Sequence, residues 1–305
     1  MTFTAFILIF ISLLLHSLWH FLCKSSGKTS MTFFALFSTA LFLTVFSFGV
    51  WSGILFKVPW SVFKYAVIGA CCGVFCDFGL ILAYRHSDIS LAYPMARALP
   101  VFFTMMMTWM FRWGKTLSPL AIVGMLIIFI GCICMSFTGG DDKLSLREKF
   151  ISMRKGLLGI LIAAIGTTGY TISDSFGIKN IMAFAGERNT FLVAASYSSC
   201  REIVATITLW VIVLICHCCK WERGLFKNLV KSKHPYMAGF SAALAYLLVL
   251  VAMFYVTNVS FVQAFRQLSL PVSAALGFIF LKEKISVLRL VSLAMIMSGL
   301  IICVI

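Results

Sequence analysis

Six ionisable side chains stand deep inside apolar stretches of this chain: Asp77, Arg97, Asp174, Arg201, Glu202 and Arg266. A charged group at the centre of a lipid-embedded helix costs roughly 2.5–3.5 kcal/mol, so such residues mark binding, ion coupling or internal pairing. Asp174 sits in TISDSFG, with Thr168, Tyr170, Thr171 and Ser173 beside it. Tyr170 and Asp174 are four apart and share a helix face. A carboxylate there can trade a proton with its surroundings, which is the chemistry that proton coupling needs. Asp77 is the second candidate for that role. Arg201 and Glu202 are adjacent, point about 100° apart on a helix, and read as structural partners of their neighbours.

Arg97 and Arg266 bring a different chemistry. A guanidinium is a fixed planar fork suited to carboxylate or phosphate. Each arginine lies a turn or two into its apolar run, in corresponding parts of the two chain halves. Two such groups close together call for an acid or an anionic substrate between them. Arg97 belongs to AYPMARALP, where Pro94 and Pro100 each remove a backbone donor and free a carbonyl one turn back. Polar backbone freed at membrane depth is tolerated only against protein or a water-filled cavity. This stretch is therefore expected to be a bent, cavity-lining helix, with Pro94, Pro100 and Pro271 as hinges. Trp19, Tyr93 and Gln263 are candidates for the wall of a substrate site. His16 and His20 share a face at metal-ligand spacing. No third ligand accompanies them, so His16 is expected to line the cavity and no metal is expected.

The elements that must carry these groups are apolar helices. Of 305 residues, 61% are hydrophobic and 11% charged, against roughly 25% charged in an ordinary soluble protein. Apolar runs near 3–22, 31–55, 62–84, 89–111, 117–137, 156–179, 190–216, 235–257, 259–281 and 286–305 predict ten transmembrane helices. The runs are continuous, which excludes the alternating pattern of a β-barrel. The first run lacks a basic flank and a small-residue cleavage site, so it is expected to remain as the first helix. The net charge of +15 is spread over loops, and no basic domain is left to hold nucleic acid. Most of the eleven cysteines fall inside the runs and read as small packing residues. The cluster Cys216, His217, Cys218, Cys219 lacks the second half of a zinc site.

The chain is written twice. Ser90 matches Ser260, Pro100 matches Pro271, Leu117–Ser118 matches Ile285–Ser286, and Gly131 matches Gly299. Two five-helix halves follow, 1–139 and 156–305, joined by a polar linker over 140–155. An odd helix count per half inverts one half against the other, an arrangement characteristic of secondary transporters.

The segments SLAYPMARALPVFF, GKTLSPLAIVGMLIIFIGCI and FLKEKISVLRLVSLAMIMSGLII resemble the two EamA domains of the drug/metabolite transporter superfamily. LLLHSLWHFLCK, GYTISDSFGIKN and SFVQAFRQLSLP are similar to motifs of helices 1, 6 and 9 in one bacterial-type subgroup. Lys115 stands where EamA domains usually carry Glu, and His20 where the subgroup usually has Asn. The resemblance implies an all-α integral membrane carrier of ten helices in a bacterial cytoplasmic membrane, exporting a small organic solute without cofactor or ATP. No GxxxxGK[ST] occurs anywhere. The expected partners are the bilayer, a small-molecule substrate and, with assembly left open, a second copy in a homodimer. A translocator of lipid headgroups is the rival within transport. An integral-membrane enzyme is the rival outside it, and lacks a clustered nucleophile. Loops on the side of the termini hold six basic residues and the opposite loops sixteen. The positive-inside rule then places the linker in the cytoplasm and the termini outside, whereas the resemblance implies cytoplasmic termini.

Overall fold

The computed structural model describes residues 2–25, 30–86, 89–137, 146–186, 188–219, 222, 224–272 and 286–303, with backbone alone at 20–21, 24–25, 84–86, 89–93 and 146–155. All regular elements among them are helical. In chain order they are α1 (Phe3–Ser25), α2 (Met31–Trp51), α3 (Trp60–His86), α4 (Ile89–Met110), α5 (Pro119–Ser136) and α6 (Leu146–Ala185). Then come α7 (Thr190–Cys218), α8 (Leu225–Lys231), α9 (His234–Phe254), α10 (Val259–Arg266) and α11 (Val287–Ile302).

Six of these helices contain stretches long and apolar enough to cross a membrane: α2, α3, α5, α6, α7 and α9. The protein is therefore a multi-pass, all-helical membrane protein. Its surface agrees. Leu14, Ile68, Ile165, Ile207, Leu214 and Ile301 are half or more exposed, which only an apolar solvent rewards. Trp51, Trp60 and Trp109 are exposed near helix ends, where indole rings suit the membrane–water interface.

Local sequence explains where the helices start. Ser30, Ser118, Asn189, Asn258 and Ser286 each accept a backbone N–H in the first turn of the following helix, closing donors that a helix cannot satisfy itself. Pro119 follows its cap at the first helical position, where a missing N–H costs nothing.

Two expectations about helix limits are corrected. Residues 146–155, read as linker, are the opening turns of α6. At 40 residues that helix is about 60 Å long, twice a hydrocarbon core of about 30 Å. The run at 259–281 is not one uninterrupted helix, because α10 ends at Arg266 and a turn occupies 267–268. Pro271 has no N–H to give the Gln267 carbonyl, and its ring clashes with an α-helical neighbour one turn back. That carbonyl instead accepts from Leu270 N–H at 2.9 Å. Residues 273–281 lie outside the described residues.

The chain forms two compact units. One comprises 78–168 and 256–305, the other 2–77 and 169–255. Each draws helices from both sequence halves, and α3 and α6 contribute to both. In the first unit α5 packs on α4 and α11, and α10 packs on α4. In the second, α1 packs on α9, and α2 on α7 and α9.

Candidate functional site

The second unit holds a buried polar cluster built around Asp174 of α6, which is fully buried. Tyr197 of α7 donates its phenol to Asp174 Oδ1 at 2.7 Å. Tyr246 of α9 donates to Oδ2 at 2.5 Å. Arg201, one helical turn after Tyr197, brings Nε within 3.3 Å of Oδ2 and pairs through Nη1 with Glu202. Its guanidinium carbon lies 5.3 Å from the Tyr170 ring centre and 4.9 Å from that of Tyr246. These two rings meet edge to face at 5.9 Å. Three helices thus contribute to one network in which both carboxylate oxygens of Asp174 are engaged.

Helix α3 closes the cluster with glycine. A Cβ at Gly69 would stand 2.5 Å from Asp174 Oδ1, and one at Gly73 3.0 Å from Arg201 Nη2. The absence of side chains there lets the α3 backbone approach the charges. One turn on, Asp77 is half-buried and within electrostatic reach of Glu202 and Arg201. No hydrogen bond ties it among the described residues.

Of the sequence candidates, Asp174, Tyr170 and Asp77 therefore meet in one place. Arg201 and Glu202, read as structural, prove to be central members of the same cluster. Tyr197 and Tyr246 were missed. For Tyr197 a signal existed, since it shares a face of α7 with Arg201. Tyr246 lies in an apolar run with nothing in the local sequence to mark it.

His16 and Trp19 lie in the same unit, where α1 meets α9 and α2. Ser12 donates its hydroxyl to the Ala245 carbonyl at 2.7 Å and lies 3.3 Å from His16 Nδ1. Having spent its proton, Ser12 is the acceptor, so Nδ1 carries a hydrogen. Trp19 stacks obliquely on Phe37 at 5.4 Å. The side chains of His20 and Tyr93 lie outside the described residues.

The first unit holds a separate polar seam between α4 and α10. Arg97 Nη2 donates to the Arg266 carbonyl and to Ser269 Oγ, both at 2.7 Å. Gln267 Nε2 returns the contact by donating to the Arg97 carbonyl at 3.2 Å and also to the Gln263 carbonyl at 3.1 Å. Thr108 and Ser260 exchange a hydroxyl bond at 2.8 Å. Arg97 accordingly contacts the backbone at the break in α10, on the carbonyl side of Arg266. Pro94 and Pro100 lie within α4 on either side of it.

No family model matches the chain, and no curated protein matches it. Solved structures do. One, titled "Crystal structure of protein", aligns over 98% of this chain and 96% of its own, with a TM-score of 0.64 and 17% identity. The likeness is one of fold. It extends over the whole chain and carries no function with it.

Proposed function

We propose that the chain is a secondary active transporter that moves a small organic solute by alternating access, coupled to protons or to exchange of a second solute. The observation that carries this reading is the Asp174–Tyr197–Tyr246–Arg201–Glu202 network, made by helices that cross the membrane. Charges are costly at such depth, and a purely structural protein achieves the same packing with apolar residues. The family resemblance points the same way, toward an exporter in a bacterial cytoplasmic membrane.

The ten-helix inverted repeat is part of the proposal, and two internal correspondences support it. Ser118 and Ser286, matched in the repeat, both cap the helix that follows. The α5–α11 contact is also symmetric under that match. A Cβ on Gly124 would stand 2.6 Å from the Gly299 carbonyl, and one on Gly131 3.1 Å from the Ser292 carbonyl. The offset that relates Gly131 to Gly299 also relates Gly124 to Ser292, so each contact is the image of the other. Helix α10, broken beside Arg266, is of the kind that lines transporter sites.

The test uses purified protein in liposomes loaded with a pH dye. Pooled anionic, zwitterionic and cationic metabolites are screened for solute-driven proton movement, with Asp174→Asn and Arg266→Gln in parallel. Proton flux with one pool that is lost in Asp174→Asn supports a coupled carrier. Absence of flux with every pool, together with thermal stabilisation by a lipid headgroup, removes this reading in favour of a lipid translocator.

A further inference from the structure

We infer that α8 is an interfacial helix that binds anionic phospholipid, its exposed apolar stripe entering the hydrocarbon margin and its lysines meeting phosphate headgroups. The inference concerns the surface of the second unit and does not rest on the carrier reading.

The sequence supplies a basic segment. Between α7 and α9, residues 220–233 hold Lys220, Arg223, Lys227, Lys231 and Lys233, with Glu222 as the one acid. Lys220 and Arg223 lie outside the described residues. Glu222 is buried, and its carboxylate accepts from the Met31 and Thr32 amides and the Thr32 hydroxyl. The negative charge of the segment is thus committed to the start of α2. Lys227, Lys231 and Lys233 are exposed, and no ion pair engages them among the described residues.

Helix geometry sorts the rest. At about 100° per residue, α8 divides into three sectors. Leu225 and Leu229 share the face that meets α2, with Leu229 buried. Phe226 and Val230 come next, apolar and exposed. Lys227 and Lys231 follow. An exposed apolar stripe flanked by lysines is the pattern of a helix lying in the membrane plane. Its position is fixed by protein contacts. The Phe226 ring meets Trp210 edge to face at 6.2 Å, and Trp210 Nε1 donates to Thr39 at 2.9 Å. At the other end, Tyr236 donates to the Val230 carbonyl at 3.2 Å.

The stripe continues the lipid-facing surface. Leu214 and Ile215 near the end of α7, and Met237 and Phe240 near the start of α9, are more than half exposed. Charge selects the occupant. A neutral lipid satisfies Phe226 and Val230, but it brings its own cation to lysines that have no acid. An anionic lipid brings phosphate alone, and basic residues beside a membrane surface attract it. The α7–α9 connection also belongs to the side with sixteen basic loop residues against six, the side that the positive-inside rule turns to the cytoplasm.

The test measures binding, not transport. Full-length protein is placed in nanodiscs of phosphatidylcholine, and in discs where part of that lipid is phosphatidylglycerol. Phosphatidylglycerol is expected to slow hydrogen exchange at the Phe226–Lys231 amides several-fold, and to lose this effect in high salt. Titration of the detergent-solubilised protein with phosphatidylglycerol gives an affinity. Each lysine removed is expected to lower it about fivefold, and Lys227→Gln/Lys231→Gln/Lys233→Gln together roughly a hundredfold. Lys57→Gln/Lys115→Gln/Lys179→Gln makes the same charge change at exposed residues toward the opposite side and is expected to leave the affinity unchanged. Equal exchange in the two discs overturns the proposal and leaves the basic face to an acidic soluble partner. Equal losses in the two triple variants overturn it as well, as does equal protection by inorganic phosphate in phosphatidylcholine discs. Should the first triple variant fail to fold, the wild-type comparison between discs decides alone.

Discussion

Tyr246 donates a 2.5 Å hydrogen bond to Asp174 across 72 residues of sequence, joining α9 to α6. Tyr197 completes the grip from α7 on the other carboxylate oxygen. A buried carboxylate held by two phenols and a guanidinium is fixed in position, because moving it breaks three interactions together.

Removing one phenol tests the grip. Tyr246→Phe and Tyr197→Phe each delete one hydrogen bond to a charged acceptor and leave the ring in place. Each is expected to cost about 1.5–3 kcal/mol, read as a lowered unfolding midpoint in detergent. The double variant should cost less than the sum of the two, since both act on one carboxylate. Additive losses would show that the two tyrosines act independently of Asp174.

Glu222 offers a prediction away from the cluster. Its carboxylate accepts from Met31 N–H at 2.9 Å, Thr32 N–H at 3.0 Å and Thr32 Oγ1 at 2.7 Å. It therefore covers the N-terminus of α2, where donors are unsatisfied and the helix dipole favours an anion. Glu222→Ala should cost about 1–3 kcal/mol. Hydrogen exchange at the Met31 and Thr32 amides should accelerate, with the middle of α2 unchanged. Unaltered exchange at those amides would show that Glu222 does not hold them.

Much of this was legible in the sequence. Apolar run lengths located α2, α5, α7 and α9 to within a few residues, because a membrane helix must be long and apolar whatever it packs against. Asp174 and Asp77 stood out because a charge in such a run is rare. Arg201 and Glu202 read from sequence as structural partners of their neighbours, and only the three-dimensional structure shows that Asp174 is the neighbour that Arg201 meets. Tyr246 was invisible, since a tyrosine in an apolar run is ordinary until its hydroxyl has a partner from another helix. Pro271 announced the break after Arg266: proline acts on the carbonyl one turn behind it, so the helix yields at Gln267.

The Arg97–Gln267 pair should hold that break in shape. Arg97 Nη2 grips the Arg266 carbonyl and Ser269, while Gln267 grips the Arg97 carbonyl. Arg97→Lys keeps the charge but replaces a planar fork with a single ammonium. It is expected to speed hydrogen exchange at Leu268–Leu270 several-fold, with Gln267→Leu doing the same. Protection unchanged in both variants would mean that Pro271 alone sets the break.

The crossing of α5 and α11 gives the most direct steric test. Gly124 and Gly299 lie against each other's backbone: a Cβ on either would stand 2.6 Å from the other's carbonyl oxygen. Backbone cannot swing aside as a side-chain tip can, so the helices must separate. Membrane helices depend on such close approach between small residues, because lipid gives no hydrophobic incentive for helix association. Gly124→Ala and Gly299→Ala should each cost about 1–3 kcal/mol by overpacking, seen as a lowered Tm. The second alanine should add little once the first has separated the helices. Gly131→Ala should resemble them, because it meets the Ser292 carbonyl at 3.1 Å in the image of the same contact. A variant at Gly131 that is neutral while those at Gly124 and Gly299 are costly would break the two-fold relation between the contacts, and weaken the case for an inverted repeat.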